Sequence, residues 1–203
     1  MDLLSDIWNL WLTVDEPIGT VLGLVVVWFL IRQNVWAWPL GVAYVFVSIT
    51  VLYEARLYAN LLLHLVAFLP MNLYGWYYWL FGTDQGEELP VTRASRFVLA
   101  ALAVPCLAAA AGLGAWFATQ TDAAYPFWDN GVFAMSLAAM WLTARKKIEN
   151  WMLWFVVNVN SVALYSLQGL GGYATLYAIY IGMAAWGYVT WRRSMEETGE
   201  AGS

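Results

Sequence analysis

Seven stretches of the chain are predominantly apolar, and short polar turns separate most of them. They fall at about 17–31, 38–54, 57–81, 96–118, 127–143, 150–167 and 172–191. A spanning helix needs roughly 20 mostly apolar residues. The pattern therefore predicts an all-α membrane protein with seven transmembrane helices. The polar segment 82–95 (GTDQGEELPVTRAS) interrupts the series and predicts a linker between two halves. Ahead of the first span, Leu3, Leu4, Ile7, Leu10 and Trp11 recur at helical spacing. That segment, 1–16, predicts either a short helix lying in the membrane interface or a frayed terminus. It carries Asp2, Asp6, Asp15 and Glu16 and no basic residue, unlike a secretory signal peptide.

The pattern repeats. A shift of about 112 residues lays the first three spans on the last three. Gly19 falls on Gly131, Leu30 on Leu142, Val45 on Val157, Leu52-Tyr53 on Leu164-Tyr165, Gly75 on Gly187 and Trp79 on Trp191. The span at 96–118 is rich in alanine and leucine and acts as a connector. Three spans, a connector and three spans make a 3+1+3, SWEET-like arrangement with parallel repeats, and predict a solute path between the halves.

Charge then sets the topology. With loops alternating sides, Arg32, Arg93, Arg96, Arg145, Lys146, Lys147, Arg192 and Arg193 share one side, and only Arg56 lies on the other. By the positive-inside rule the crowded side is cytoplasmic, which predicts a periplasmic N-terminus and a cytoplasmic tail at 192–203. Composition agrees: 62% of residues are hydrophobic and 11% charged, against ~45–50% and ~25% in soluble domains. The single Cys106 excludes an internal disulfide and a cysteine-ligated metal.

Polar groups within a bilayer are costly and tend to face a cavity or a partner helix. The sixth span carries Trp151, Trp154, Asn158, Ser161 and Tyr165 on one helical face. This face predicts either a solute pocket or helix–helix hydrogen bonding. Tyr173, Tyr177, Tyr180 and Gly187 of the seventh span share a spacing, as do Asn60 and His64, followed by Asn72, in the third. Tyr44 and Ser48 do so in the second. His64, the single histidine, is either a pocket group or a structural one, and one histidine makes no metal site. Aromatic walls with amides and hydroxyls suit a flat, preferably cationic ring joined to a polyol. With no basic residue deep in a span, a nucleoside-like vitamin fits and a nucleotide does not.

Other classes lack their chemistry. No P-loop, HExxH or GxSxG motif occurs, so neither ATP hydrolysis nor an enzyme is expected. A retinal receptor needs a lysine in the last span, and the only lysines are Lys146 and Lys147. No carboxylate lies deep in a span, which favours facilitated diffusion over ion coupling. No cofactor and no nucleic-acid partner are expected.

Two stretches, FWDNGVFAMSLAAMWLTARKKIENWMLWFVVNVNSVALYSLQG (127–169) and LYANLLLHLVAFLPMNLYGWYYW (57–79), resemble the bacterial PnuC-type vitamin transporters. The resemblance spans nearly all of 17–193. Its specific pieces are Phe127-Trp128-Asp129, Glu149-Asn150-Trp151 with Trp154 and Asn158, and Asn72 with Tyr74-Gly75-Trp76. It implies nicotinamide riboside uptake across the bacterial inner membrane by a homotrimeric uniporter. It also implies trapping of the substrate by a cytoplasmic kinase, as a step towards NAD biosynthesis. It carries Trp151, Trp154 and Asn158 over as substrate contacts, with Asn72 and Tyr177 behind them. The chain departs from the family at His64, where relatives carry glutamine. Thiamin or riboflavin is the alternative cargo on the same fold.

Overall fold

The computed structural model describes residues 18–54, 64–83, 88–121, 124–169 and 171–201. The expected interfacial segment 1–16, Arg56 and Asn60 lie outside them. Among the described residues the chain is all-helical. The helices are α1 (Ile18–Ile31), α2 (Ala37–Glu54), α3 (a π-helical turn His64–Phe68 running into Leu69–Phe81) and α4 (Arg96–Gln120). They continue as α5 (Pro126–Ala144), α6 (Glu149–Leu167) and α7 (Gly171–Ala201). The backbone clusters into two compact units, Met1–Gly86 and Glu87–Ser203.

Most helix boundaries fall within a few residues of the hydrophobic pattern, and two differences have local causes. Within α3 the turn His64–Phe68 is π-helical because Pro70 has no N–H to give the Val66 carbonyl one turn back. Helix α7 does not end at 191 but continues to Ala201. Its polar end holds an exposed Arg192–Glu196 pair at 2.8 Å, one helical turn apart.

Side chains are distributed inside out. Asn130, Ser136, Thr143, Asn150, Asn158 and Ser161 are buried, while Phe97, Val104, Leu107, Met152 and Phe155 are exposed. Water would select the reverse, and a hydrocarbon solvent selects this. Helix α4 is long and apolar enough to cross a bilayer by itself, and α1 and Ala37–Thr50 are shorter apolar helices. Helix α4 meets α5 through small residues, since a Cβ on Gly114 would stand 2.5 Å from the Phe127 ring. The Cys106 thiol donates to the Ala134 carbonyl at 3.3 Å.

Two turns, one in each unit, share one backbone hydrogen-bond pattern. Helix α1 ends with Gln33 at φ 54° and α5 with Lys146 at φ 45°. In the first turn Asn34 N–H donates to Phe29 O at 2.9 Å and Gln33 N–H to Leu30 O at 3.0 Å. In the second, Lys147 N–H donates to Leu142 O at 2.8 Å and Lys146 N–H to Thr143 O at 3.0 Å. Both are Schellman closures built on a left-handed residue. The bonds Arg32 to Trp28, Ala37 to Asn34 and Trp38 to Val35 recur as Arg145 to Trp141, Asn150 to Lys147 and Trp151 to Ile148. Even the guanidinium over the indole recurs, with Arg32 5.1 Å from the Trp28 ring and Arg145 5.6 Å from that of Trp141.

These pairs stand 113 positions apart, so Leu142 matches Phe29 rather than the Leu30 expected from an ungapped shift. Gly75 and Gly187, and Trp79 and Trp191, stand 112 apart and also occupy matching places. Trp38 packs edge-on to Trp79 at 5.4 Å and 83°, and Trp151 to Trp191 at 5.4 Å and 90°. The spacing between matching contacts therefore changes from 113 to 112 positions after the turn.

The end of the linker, from residue 88 on, belongs to the second unit. Thr92 N–H donates to Lys146 O, Ile148 N–H donates to Thr92 O, and Lys147 Nζ donates to Thr92 Oγ1 at 2.8 Å. The Glu149 carboxylate accepts from Ala94 N–H at 2.8 Å. The segment 91–94 thus lies on the same side of this unit as the α5–α6 turn, as the charge pattern requires. Lys146 is buried in that turn, and burial pushes its amine down to about 8, against a smaller upward pull from Glu88. Between that value and the ordinary lysine range the unfolded chain binds more protons than the folded one. Stability is therefore expected to rise as pH goes from about 8 towards about 10. Thermal melts of the purified protein across that window check this, and Lys146→Met should flatten the rise.

Candidate functional site

Helix α6 presents two faces. Trp151, Val157, Asn158, Ser161 and Leu164 are buried, whereas Met152, Phe155, Val156 and Val159 are exposed. The stripe read from the spacing is the inward one, and it packs between α5 and α7. Its members have different surroundings.

Trp151 is 2% exposed and lies flat against Gly187, whose hypothetical Cβ would stand 2.6 Å from three indole carbons. Only glycine permits that approach. The indole N–H of Trp151 is buried without a hydrogen-bond partner, and so is that of its first-unit counterpart Trp38. Trp154, one turn on, is partly exposed and donates its indole N–H to Thr143 Oγ1 at 3.2 Å. Thr143 in turn shares its single proton between Ala139 O at 2.8 Å and Asn150 Oδ1 at 3.2 Å. The Asn150 amide donates to Lys147 O at 2.6 Å, which fixes which way round it sits.

Asn158 is 5% exposed. The amides of Asn72, Asn130, Asn150 and Asn160 all donate to a backbone carbonyl three or four residues back. Among the described residues that of Asn158 makes no such bond, and it lies one turn beyond the Trp154 indole. Ser161 is buried on the same face a further turn along. Past it, Tyr165 stacks on Tyr173 at 5.4 Å and on Tyr177 at 5.2 Å, with interplanar angles of 28° and 26°. Tyr180 meets Tyr177 edge-on at 5.7 Å. Eleven residues separate Trp154 from Tyr165, about 16 Å along a helix. The tyrosine stack and the indole are separate features of one face.

The other candidates lie in the first unit. Asn72 is buried, donates to Phe68 O at 2.9 Å, and fills the space that Gly41 leaves open. His64 lies in the π turn, its ring 5.0 Å from that of Phe68. Ser48 Oγ donates to Tyr44 O at 2.9 Å within α2, and Tyr44 is partly exposed. Among the described residues no cluster of acidic, histidine or cysteine side chains could hold a metal.

Sequence reasoning missed Thr143 and Asn150. Thr143 reads as an unremarkable helix end, and Asn150 as part of a motif without a role. The available signal was a hydroxyl and an amide seven residues apart, flanking a tight turn just before two tryptophans.

Comparison with known proteins identifies the family. The pattern described as nicotinamide mononucleotide transporter matches residues 7–193. The nicotinamide riboside transporter PnuC of Escherichia coli K12 is 30% identical, over 91% of this chain and 87% of its own length. The riboflavin/roseoflavin transporter RibM of Streptomyces davaonensis is 31% identical, over 87% and 84%. A crystal structure of the vitamin B3 transporter PnuC matches the fold with a TM-score of 0.69, covering 97% of this chain and 94% of that one at 17% identity. The inward Trp154–Asn158 face thus sits in an all-helical fold shared with a vitamin transporter. On the full-length match to its relatives, the chain belongs to the nicotinamide mononucleotide transporter family, the PnuC-type multi-pass vitamin transporters of the inner membrane.

Proposed function

We propose that this protein imports nicotinamide riboside by facilitated diffusion, the substrate then being trapped by cytoplasmic phosphorylation. The observation that carries this reading is the uncommitted, buried Asn158 amide beside the Trp154 indole. An amide suits ribose hydroxyls, and an indole face attracts a flat cationic ring. Trp151 backs this face with its buried ring, and Ser161 of α6 with Tyr177 and Tyr180 of α7 are proposed as further contacts. Asn72, His64, Tyr44 and Ser48 are the proposed contacts of the first unit. The riboside is preferred to the mononucleotide because the basic residues among the described positions stand at helix ends, in turns, in the linker or on the polar final stretch of α7, leaving a phosphate without a counter-charge inside a span.

The protein is read as a SWEET-like 3+1+3 assembly of parallel repeats, forming a homotrimer, with a periplasmic N-terminus and a cytoplasmic C-terminus. The duplicated turns and the duplicated tryptophan-on-glycine contacts support the repeat. Riboflavin is the second reading, favoured by the 31% identity to a riboflavin/roseoflavin transporter. Calorimetric titration of the purified protein with nicotinamide riboside, thiamin and riboflavin separates these. Binding of the riboside in preference to the other two is expected, and a preference for riboflavin would reassign the cargo. Liposomes should then exchange labelled substrate without an ion gradient, and strict dependence on protons or sodium would remove the uniport mechanism.

A further inference from the structure

We propose that Thr143 is a positioning residue for the substrate, its hydroxyl setting the plane of the Trp154 indole from the neighbouring helix. The proposal rests on the reading that Trp154 touches the substrate. Its geometry is that of a short chain of hydrogen bonds. Trp154 Nε1 donates to Thr143 Oγ1 at 3.2 Å. Thr143 is anchored to Ala139 O of α5 and to Asn150 Oδ1 of α6, and Asn150 to the Lys147 carbonyl of the intervening turn. Thr143 and Asn150 are 2% and 0% exposed. A tryptophan side chain has several staggered rotamers open to it. A fixed acceptor 3.2 Å from its nitrogen selects one of them.

The competing explanation is that Thr143 and Asn150 merely build the α5–α6 turn. The first unit answers it. Its α1–α2 turn makes the same five backbone hydrogen bonds 113 positions earlier. There Leu30 stands for Thr143, Ala37 for Asn150 and Gly41 for Trp154. The hydroxyl, the amide and the indole are all missing, and the turn forms regardless. The turn therefore does not require the network. Burying a hydroxyl and an amide costs free energy unless they are hydrogen-bonded, so the second unit bears a polar cluster its backbone does not need. The three groups occur together where the tryptophan occurs, and none of them occurs where the glycine does. The tryptophan is the member whose placement the other two serve.

The test is a binding series on the full-length purified protein with nicotinamide riboside as probe, each variant also being melted. Thr143→Val keeps the shape and removes the acceptor. It is expected to weaken binding about 3- to 10-fold, the effect of one neutral hydrogen bond. Thr143→Ser restores the hydroxyl and should return affinity to within about 2-fold of the parent. In a Trp154→Phe background, which has no N–H to hold, Thr143→Val should weaken binding no further. Three results overturn the proposal. Unchanged affinity in Thr143→Val, with binding lost in Trp154→Ala, removes the positioning role and leaves the pocket intact. An equal loss on adding Thr143→Val to Trp154→Phe shows that Thr143 acts by another route. Unchanged affinity in Trp154→Ala removes the pocket reading itself, and the positioning role with it.

Discussion

Gly187→Ala is expected to lower the thermal stability of the purified protein sharply. The added Cβ would stand 2.6 Å from three carbons of the Trp151 indole, where ordinary contact begins near 3.4 Å. The indole has little room to retreat, being 2% exposed with Trp191 packed edge-on against it at 5.4 Å. Overpacking of this kind costs about 1–3 kcal/mol, and the upper end applies where neither partner can yield. For a chain of this length, about 3 kcal/mol lowers the melting temperature by roughly 6–12 °C. The control is Gly182 in the same helix, whose Cβ would meet nothing within 4 Å. Gly182→Ala should be neutral or slightly stabilising, since alanine costs a helix less backbone entropy than glycine. Gly75→Ala should repeat the damage in the first unit, where the Cβ would run into the Trp38 ring. Similar melting of Gly187→Ala and Gly182→Ala would mean that the tryptophan does not lie on the glycine.

The same pair shows what periodicity can convey. The spacing of Trp151, Trp154, Asn158 and Ser161 identifies the inward face of α6, because a helix turns through a constant angle per residue. It does not tell what that face meets. Trp151 meets Gly187 and Trp191, Trp154 meets Thr143, and Tyr165 meets two other tyrosines. Each of these partners comes from another helix, which spacing along one helix cannot show. Gly187 and Trp191 were visible as matches to Gly75 and Trp79, without any indication that a tryptophan lies between them. The one-residue step between the turns and the last helices was invisible for a related reason. Apolar residues substitute freely for one another in lipid, so Leu30 aligns with Leu142 as readily as Phe29 does, and only the backbone hydrogen bonds decide. Helix ends were easier to read where a proline or a charged turn interrupts the apolar run. They were harder at α7, because leaving the membrane does not stop a helix whose next residues include Met195, Glu196 and Glu197.

Trp154→Ala should reduce affinity for nicotinamide riboside by more than any other single change on the α6 face. The indole is partly exposed and aimed by a hydrogen bond, as a side chain presented to a ligand should be. Trp151 makes the opposite case, since its ring is already covered by Gly187 and Trp191. Losing the ring removes its stacking, about 0.5–1.5 kcal/mol beyond the area buried. It also removes the apolar cover itself, roughly 25 cal/mol for each Å². Together these amount to about 2–3 kcal/mol, or a 30- to 150-fold loss of affinity. Asn158→Ala removes one or two hydrogen bonds to a polyol and should cost less, about 0.5–1.5 kcal/mol for each bond. The ratio between the two variants is the informative quantity. A large loss in Trp154→Ala with a small one in Asn158→Ala describes a site that holds a ring first and a sugar second. Equal and small losses in both, with unchanged melting temperatures, would place the substrate elsewhere and leave the buried face of α6 as packing alone.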